Sequence, residues 1–165
     1  MSTKEYVLTR RSTRQELRMA IYKIAEPLEE NGRIIQTKQF CQHGDCSVFE
    51  HCANVAYVSC VLFMKLHIDA DWDQLIRGAL LHDYFLYDWH KKEDCHPAHP
   101  VYHPTLALKN ARMDYELSAK EEDIILHHMF PLTIFPPKSR EAWMVCLADN
   151  ICAVMETFGK VCVRQ

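Results

Sequence analysis

Two aspartates in this chain sit where an ionised side chain is costly. Asp83 lies in GALLHDYFL, and at helical spacing its neighbours are Ala79, Leu80, Leu86 and Tyr87. Asp149 lies in MVCLADNICAV, beside Val145, Cys146, Cys152 and Ala153. A carboxylate in such apolar company needs a partner or a metal ion. His82 directly precedes Asp83 and shares a face with Ala79, Phe85 and Leu86, and His51 sits beside Val48 and Val55. Two buried carboxylates and several imidazoles can satisfy one another by sharing cations, and that donor mix suits iron, manganese, zinc or nickel. One His-Asp dipeptide alone would read as a buried hydrogen bond. The ordered set spread over several segments is what carries the metal reading.

The elements that must position these residues read as helices. T-R-Q-E at residues 13–16 is a capping box opening a helix to about residue 30, with Leu17, Ile21, Ile24 and Leu28 as its apolar stripe. Pro27 is expected to kink or shorten it. S-V-F-E at residues 47–50 opens a second helix to about residue 66, apolar nearly all round and hence central. Residues 71–74 cap a third, which carries Leu75, Ile76, Ala79, Leu80 and Leu81. Residues 88–104 form one long irregular segment, and Pro104 suits the first turn of a short helix to about residue 113. Residues 118–121 are another capping box, for a helix to about residue 129. A last helix is expected over residues 139–158, ended by Gly159. The fold class is therefore all-α, about six helices in one domain over residues 1–165, with a metal-binding core at about residues 47–158.

Composition agrees. The chain has 165 residues, 48% of them hydrophobic, enough for one core. Its 19 basic and 22 acidic residues, net charge −3, give no general reason to expect nucleic-acid or membrane binding. The start, MSTKEYVLTRRSTRQELR, has no apolar signal region, and the apolar run at residues 54–64 is too short to span a bilayer, so a soluble cytoplasmic protein is expected. Most of the 8 cysteines sit in apolar helical stretches and read as small buried hydrophobes rather than a disulfide framework. Cys41 and Cys46 flank His43 in CQHGDC, but the spacing fits none of the usual zinc pairs.

The pattern H…HD…D, falling on His51, His82, Asp83 and Asp149, resembles the HD superfamily of metal-dependent phosphohydrolases. CSVFEHCANVAYVS before the His-Asp pair and CLADNICA around the last aspartate sharpen the likeness. The block HPTLAL…ILHHMFPLT looks like small bacterial HD proteins that hold two metals. The resemblance implies one ion on His51, His82, Asp83 and Asp149, and a second on His103 and His128 with Asp83 bridging. It implies iron first, with manganese, zinc, nickel or magnesium as alternatives, as two divalent or trivalent ions. His82 and Asp83 are then the catalytic pair. The implied reaction is attack of a metal-bound hydroxide on a phosphate ester, a nucleotide or other small phosphorylated molecule. Some HD-fold proteins are instead mixed-valent diiron oxygenases with nearly the same ligands, and a non-catalytic nucleotide- or metal-binding module is a third reading.

Of the other histidines, His127 is a further candidate, because HD-GYP-type domains carry an adjacent His pair. His96 and His99 read as loop residues at the mouth of the cleft, His43 and His90 as neighbours of the site, and His67 as a surface residue at a helix end. Trp72, Trp89 and Trp143 read as core, with Trp89 a possible cleft residue. Lys91, Lys92, Lys109 and Arg140 are the basic side chains that could meet phosphate.

Overall fold

Helix initiation here follows the cap signals. The structure, a computed structural model, describes residues 8–9, 11–43, 46–90 and 99–159, and of His43 the backbone alone. Helix α1 (Arg14–Asn31), α2 (Val48–Lys65) and α5 (Ala119–His127) each begin with a reciprocal capping box, formed by Thr13 with Glu16, Ser47 with Glu50, and Ser118 with Glu121. Each box satisfies two of the N–H groups that a helix start leaves orphaned. Helix α3 (Trp72–Leu81) is capped by Asp71 and α6 (Arg140–Thr157) by Ser139. Helix α4 spans His99–Asp114. No helix among the described residues is long and apolar enough to cross a membrane.

Helix α2 is the central element, packed by α1, α3 and α6, with Val48, Val55, Ala56, Cys60 and Phe63 almost wholly buried. Helix α3 lies against α5 at Gly78, where a Cβ would come within 2.6 Å of Ile124 Cδ1 and 3.1 Å of Ile124 Cβ. Glycine lets these two helices approach closely enough to hold the His-Asp pair beside the end of α5. Cys52, Cys60, Cys146 and Cys152 are buried and in no disulfide, as their apolar settings predict. Cys95, Cys162, His96, Lys91 and Lys92 lie outside the described residues.

The structure departs from the sequence reading in several places. Pro27 does not shorten α1, which continues to Asn31. Residues 34–39 form a 3-10 helix (Ile34–Gln39), whose Ile34 and Thr37 are buried at the three-residue spacing that repeats on a 3-10 face. A two-stranded antiparallel ladder follows, β1 (Cys41–His43) with β2 (Cys46–Ser47), pairing Cys41 with Ser47 and His43 with Cys46. Helix α4 begins at His99, not at Pro104. Pro100 takes the early first-turn position that suits proline, and Pro104 lies inside at the loss of one backbone bond. Trp143 is not core: it is 47% exposed.

Candidate metal centre

The His-Asp pair sits where α3 stops. His82 is the C-cap of α3, and its Nδ1 lies 2.7 Å from the Ala79 carbonyl, one of the acceptors a helix end leaves unpaired. The turn beyond is held from two sides. Asn110 Nδ2 donates to the carbonyls of Tyr84 and Phe85 at 3.0 and 3.1 Å. Tyr84 donates its hydroxyl to Asp114 at 2.7 Å and accepts the Arg33 backbone N–H at 2.7 Å. Leu86, just beyond it, adopts a positive φ of 59°.

The same arrangement recurs at the other histidines. His128 is the C-cap of α5, with Nδ1 2.8 Å from the Ile125 carbonyl. His103 Nδ1 lies 2.9 Å from the His99 carbonyl, one turn back in α4. His51, in the first turn of α2, has Nδ1 2.7 Å from the Glu156 carboxylate. A carbonyl or carboxylate oxygen only accepts, so all four Nδ1 atoms carry the proton and all four Nε2 atoms are left to point inward.

Those four Nε2 atoms converge on two buried carboxylates. His51 Nε2 lies 2.9 Å from Asp149 Oδ1, and His82 Nε2 lies 3.8 Å from the same oxygen. Asp83 divides its oxygens: Oδ2 faces His51 at 3.9 Å and His82 at 3.5 Å, while Oδ1 faces His103 at 3.1 Å and His128 at 3.4 Å. All six residues are buried, and the ion-pair partners of Asp83 and Asp149 among the described residues are histidines only. Two groups of donors emerge, His51 with His82 and Asp149, and His82 with Asp83 and His128, each within 4.8 Å.

Electrostatics fit a place built for positive charge. Burial pushes the carboxyl of Asp83 up, but His82, His103 and His128 pull it further down, well below the ordinary range. Burial likewise opposes ionisation of Asp149, and His51 and His82 again overcome it. His51 is disfavoured as a cation by burial, yet Asp149 and Glu156 raise it to about 10. His82 is raised in the same way, chiefly by Asp83 against its own burial. His128 is lowered, burial being the main cause. The His103–His128 edge shows what is missing. Their Nε2 atoms are 2.9 Å apart, and with both rings neutral and Nδ1 already the donor, two lone pairs would face each other. A cation there removes the repulsion, and the imidazole and carboxylate donor set fits a transition-metal ion.

The six residues singled out from sequence therefore lie together, and the other expectations divide. His127 turns its Nδ1 to Asp123 at 2.7 Å, and none of the described contacts joins it to the cluster. His99 is no loop residue: it is the first residue of α4, buried, hydrogen-bonded to the Tyr87 hydroxyl and stacked on His103 at 4.7 Å. Trp89 stacks on His99 at 5.0 Å, which places it in this aromatic wall. His67 is exposed at the end of α2, as expected, and Lys109 and Arg140 are exposed helix residues. Sequence reasoning missed Gln42, whose Nε2 donates to Asp83 Oδ2 at 2.6 Å, and it missed Glu156. Gln42 lies within an unforeseen strand pairing and carried no signal. Glu156 stands seven residues after Asp149, on the same face of α6, and that spacing was readable.

The HD-domain family model matches residues 48–154, which is more than half of the chain. The chain belongs to the HD-domain family. Members of the family are generally metal-dependent hydrolases and bind divalent metals. No curated protein and no solved structure matches the chain.

Proposed function

We propose that this chain, folded as one HD domain, is a phosphohydrolase that cleaves a phosphate ester of a small phosphorylated molecule such as a nucleotide. In this reading His51, His82, Asp83, His103, His128 and Asp149 hold two metal ions, iron foremost. The observation that carries it is the set of four Nδ1-anchored histidines whose Nε2 atoms meet on Asp83 and Asp149. When bound, the ions supply Lewis acidity toward phosphoryl oxygens and lower the pKa of water to near neutrality.

The chain's own residues do the rest. Asp83, with one oxygen toward each half of the cluster, ties the two halves at a fixed separation. Gln42 holds the Oδ2 side of that carboxylate. His82 stands between the halves, and its Ala79 bond keeps Nε2 inward. Burial of all six residues excludes bulk water, which strengthens every charge interaction inside the site. No serine or cysteine nucleophile is required.

The reading is tested by incubating the manganese-loaded protein without dioxygen, in ¹⁸O-labelled water, with a panel of phosphate esters. Labelled phosphate or phosphomonoester is the expected product. Turnover that appears only with iron and dioxygen would overturn hydrolysis in favour of oxygenation. Tight nucleotide binding without turnover under either condition would point to a binding module.

A further inference from the structure

One face of α6 grips the His51 ring at both nitrogens. Asp149 meets Nε2 at 2.9 Å, and Glu156, two turns later, meets Nδ1 at 2.7 Å. The second oxygen of Glu156 accepts from Asn54 Nδ2 at 2.8 Å, and Asn54 lies one turn beyond His51 on α2. Glu156, Asn54 and His51 are all buried.

Why this histidine needs a carboxylate follows from its place in its helix. His82 and His128 cap helix C-termini, where backbone carbonyls lack partners and are free to accept from Nδ1. His51 sits in the first turn of α2, where the orphaned groups are N–H donors. Its Nδ1 takes its acceptor from another helix, α6.

We propose that Glu156 is a positioning residue: through the His51 Nδ1 proton it fixes the tautomer and ring orientation that direct Nε2 into the metal centre. The inference rests on the proposed metal ligation by His51. Outer carboxylates of this kind hold a ligating imidazole in one tautomer and raise its basicity.

The test uses the full chain and zinc ion alone. Wild-type affinity is read first by chelator competition; a chain that binds no zinc removes the proposed function and this inference with it. Glu156→Leu keeps most of the side-chain volume and removes the acceptor. It should weaken zinc binding by about 10–100-fold, while the metal-free variant keeps its helical circular dichroism. Glu156→Gln should recover most of that loss, because its carbonyl oxygen can accept from Nδ1 and Asn54 can turn its amide to match. A folded Glu156→Leu chain with wild-type zinc affinity, or equal losses in the two variants, would contradict the proposal. Should Glu156→Leu fail to fold, the wild type still decides. Long-range ¹H–¹⁵N spectra of the zinc-loaded protein should show His51 protonated at Nδ1 and metal-bound at Nε2, and metal on Nδ1 would overturn the assignment.

Discussion

At the scale of residues, the cluster makes two demands on experiment. His103 faces only the Oδ1 side of Asp83, so His103→Ala should deplete mainly one of two metal ions, read by elemental analysis. Unchanged metal content and turnover would remove the binuclear reading and leave a mononuclear one. The metal-free protein should also respond to pH in a defined direction. His51 stands at about 10 in the folded chain against an ordinary 6.5, so its stabilising contribution is full below about 6.5 and fades as pH rises to 10. Asp83 and Asp149 lie below their ordinary 3.8, so their contribution is full above that value and is lost as pH falls. Denaturant midpoints of the metal-free chain should therefore fall between pH 6.5 and 10. Metal-loaded protein should resist that fall, because deprotonated ligands bind better. An alkaline profile that is flat without metal would contradict the His51 environment. Asp83 and Asp149 were legible because apolar neighbours expose an ionisable residue as anomalous. Glu156 left only its seven-residue spacing from Asp149, and Gln42 left nothing, since it sits in no motif and acts only through a residue distant in sequence.

At the scale of elements, the close crossing of α3 and α5 is the sharpest constraint. Gly78→Ala would gain up to about 1 kcal/mol of helix propensity. It would also drive a Cβ to 2.6–3.1 Å from Ile124, including that residue's branched Cβ, which cannot swing away. Overpacking of this kind costs about 1–3 kcal/mol, so the variant should be net destabilised, by about 1 kcal/mol in urea titration. A stabilised variant would show that the helices are not held at this distance. Caps were the most readable feature of these elements, because a Ser or Thr followed three residues later by Glu is local chemistry. The start of α4 was misread for an equally local reason. Proline at residue 104 looked like a first-turn residue, but Pro100 already fills that role, and burial of His99 against Tyr87 and Trp89 favours starting the helix earlier. The 3-10 helix and the two-stranded ladder depend on packing against α2, a tertiary effect without a periodic trace in so short a segment.

At the scale of the whole molecule, the proposed ligands come from α2, the end of α3, α4, the end of α5 and α6. Ions that join five segments should stabilise the fold as a unit, since binding energy to the folded state is folding energy. Chelation of the metals should lower the melting temperature by many degrees, and equal melting of apo and holo protein would mean that the centre does not bind. The all-α class was legible because six cap or periodicity signals agreed, and the convergence of the six residues was legible only through the resemblance to the HD family. Spacing alone does not bring His51 to Asp149 across 98 residues.

The central claim is that these six side chains form one metal centre with Asp83 shared between its halves. Metal content per chain, measured for wild-type protein purified without dioxygen and for Asp83→Ala, tests it most directly. The two halves that face the two Asp83 oxygens predict about two ions in the wild type, and the carboxylate common to both predicts loss from both in the variant. A wild-type chain without bound metal, or an Asp83→Ala chain that retains full occupancy, would contradict it.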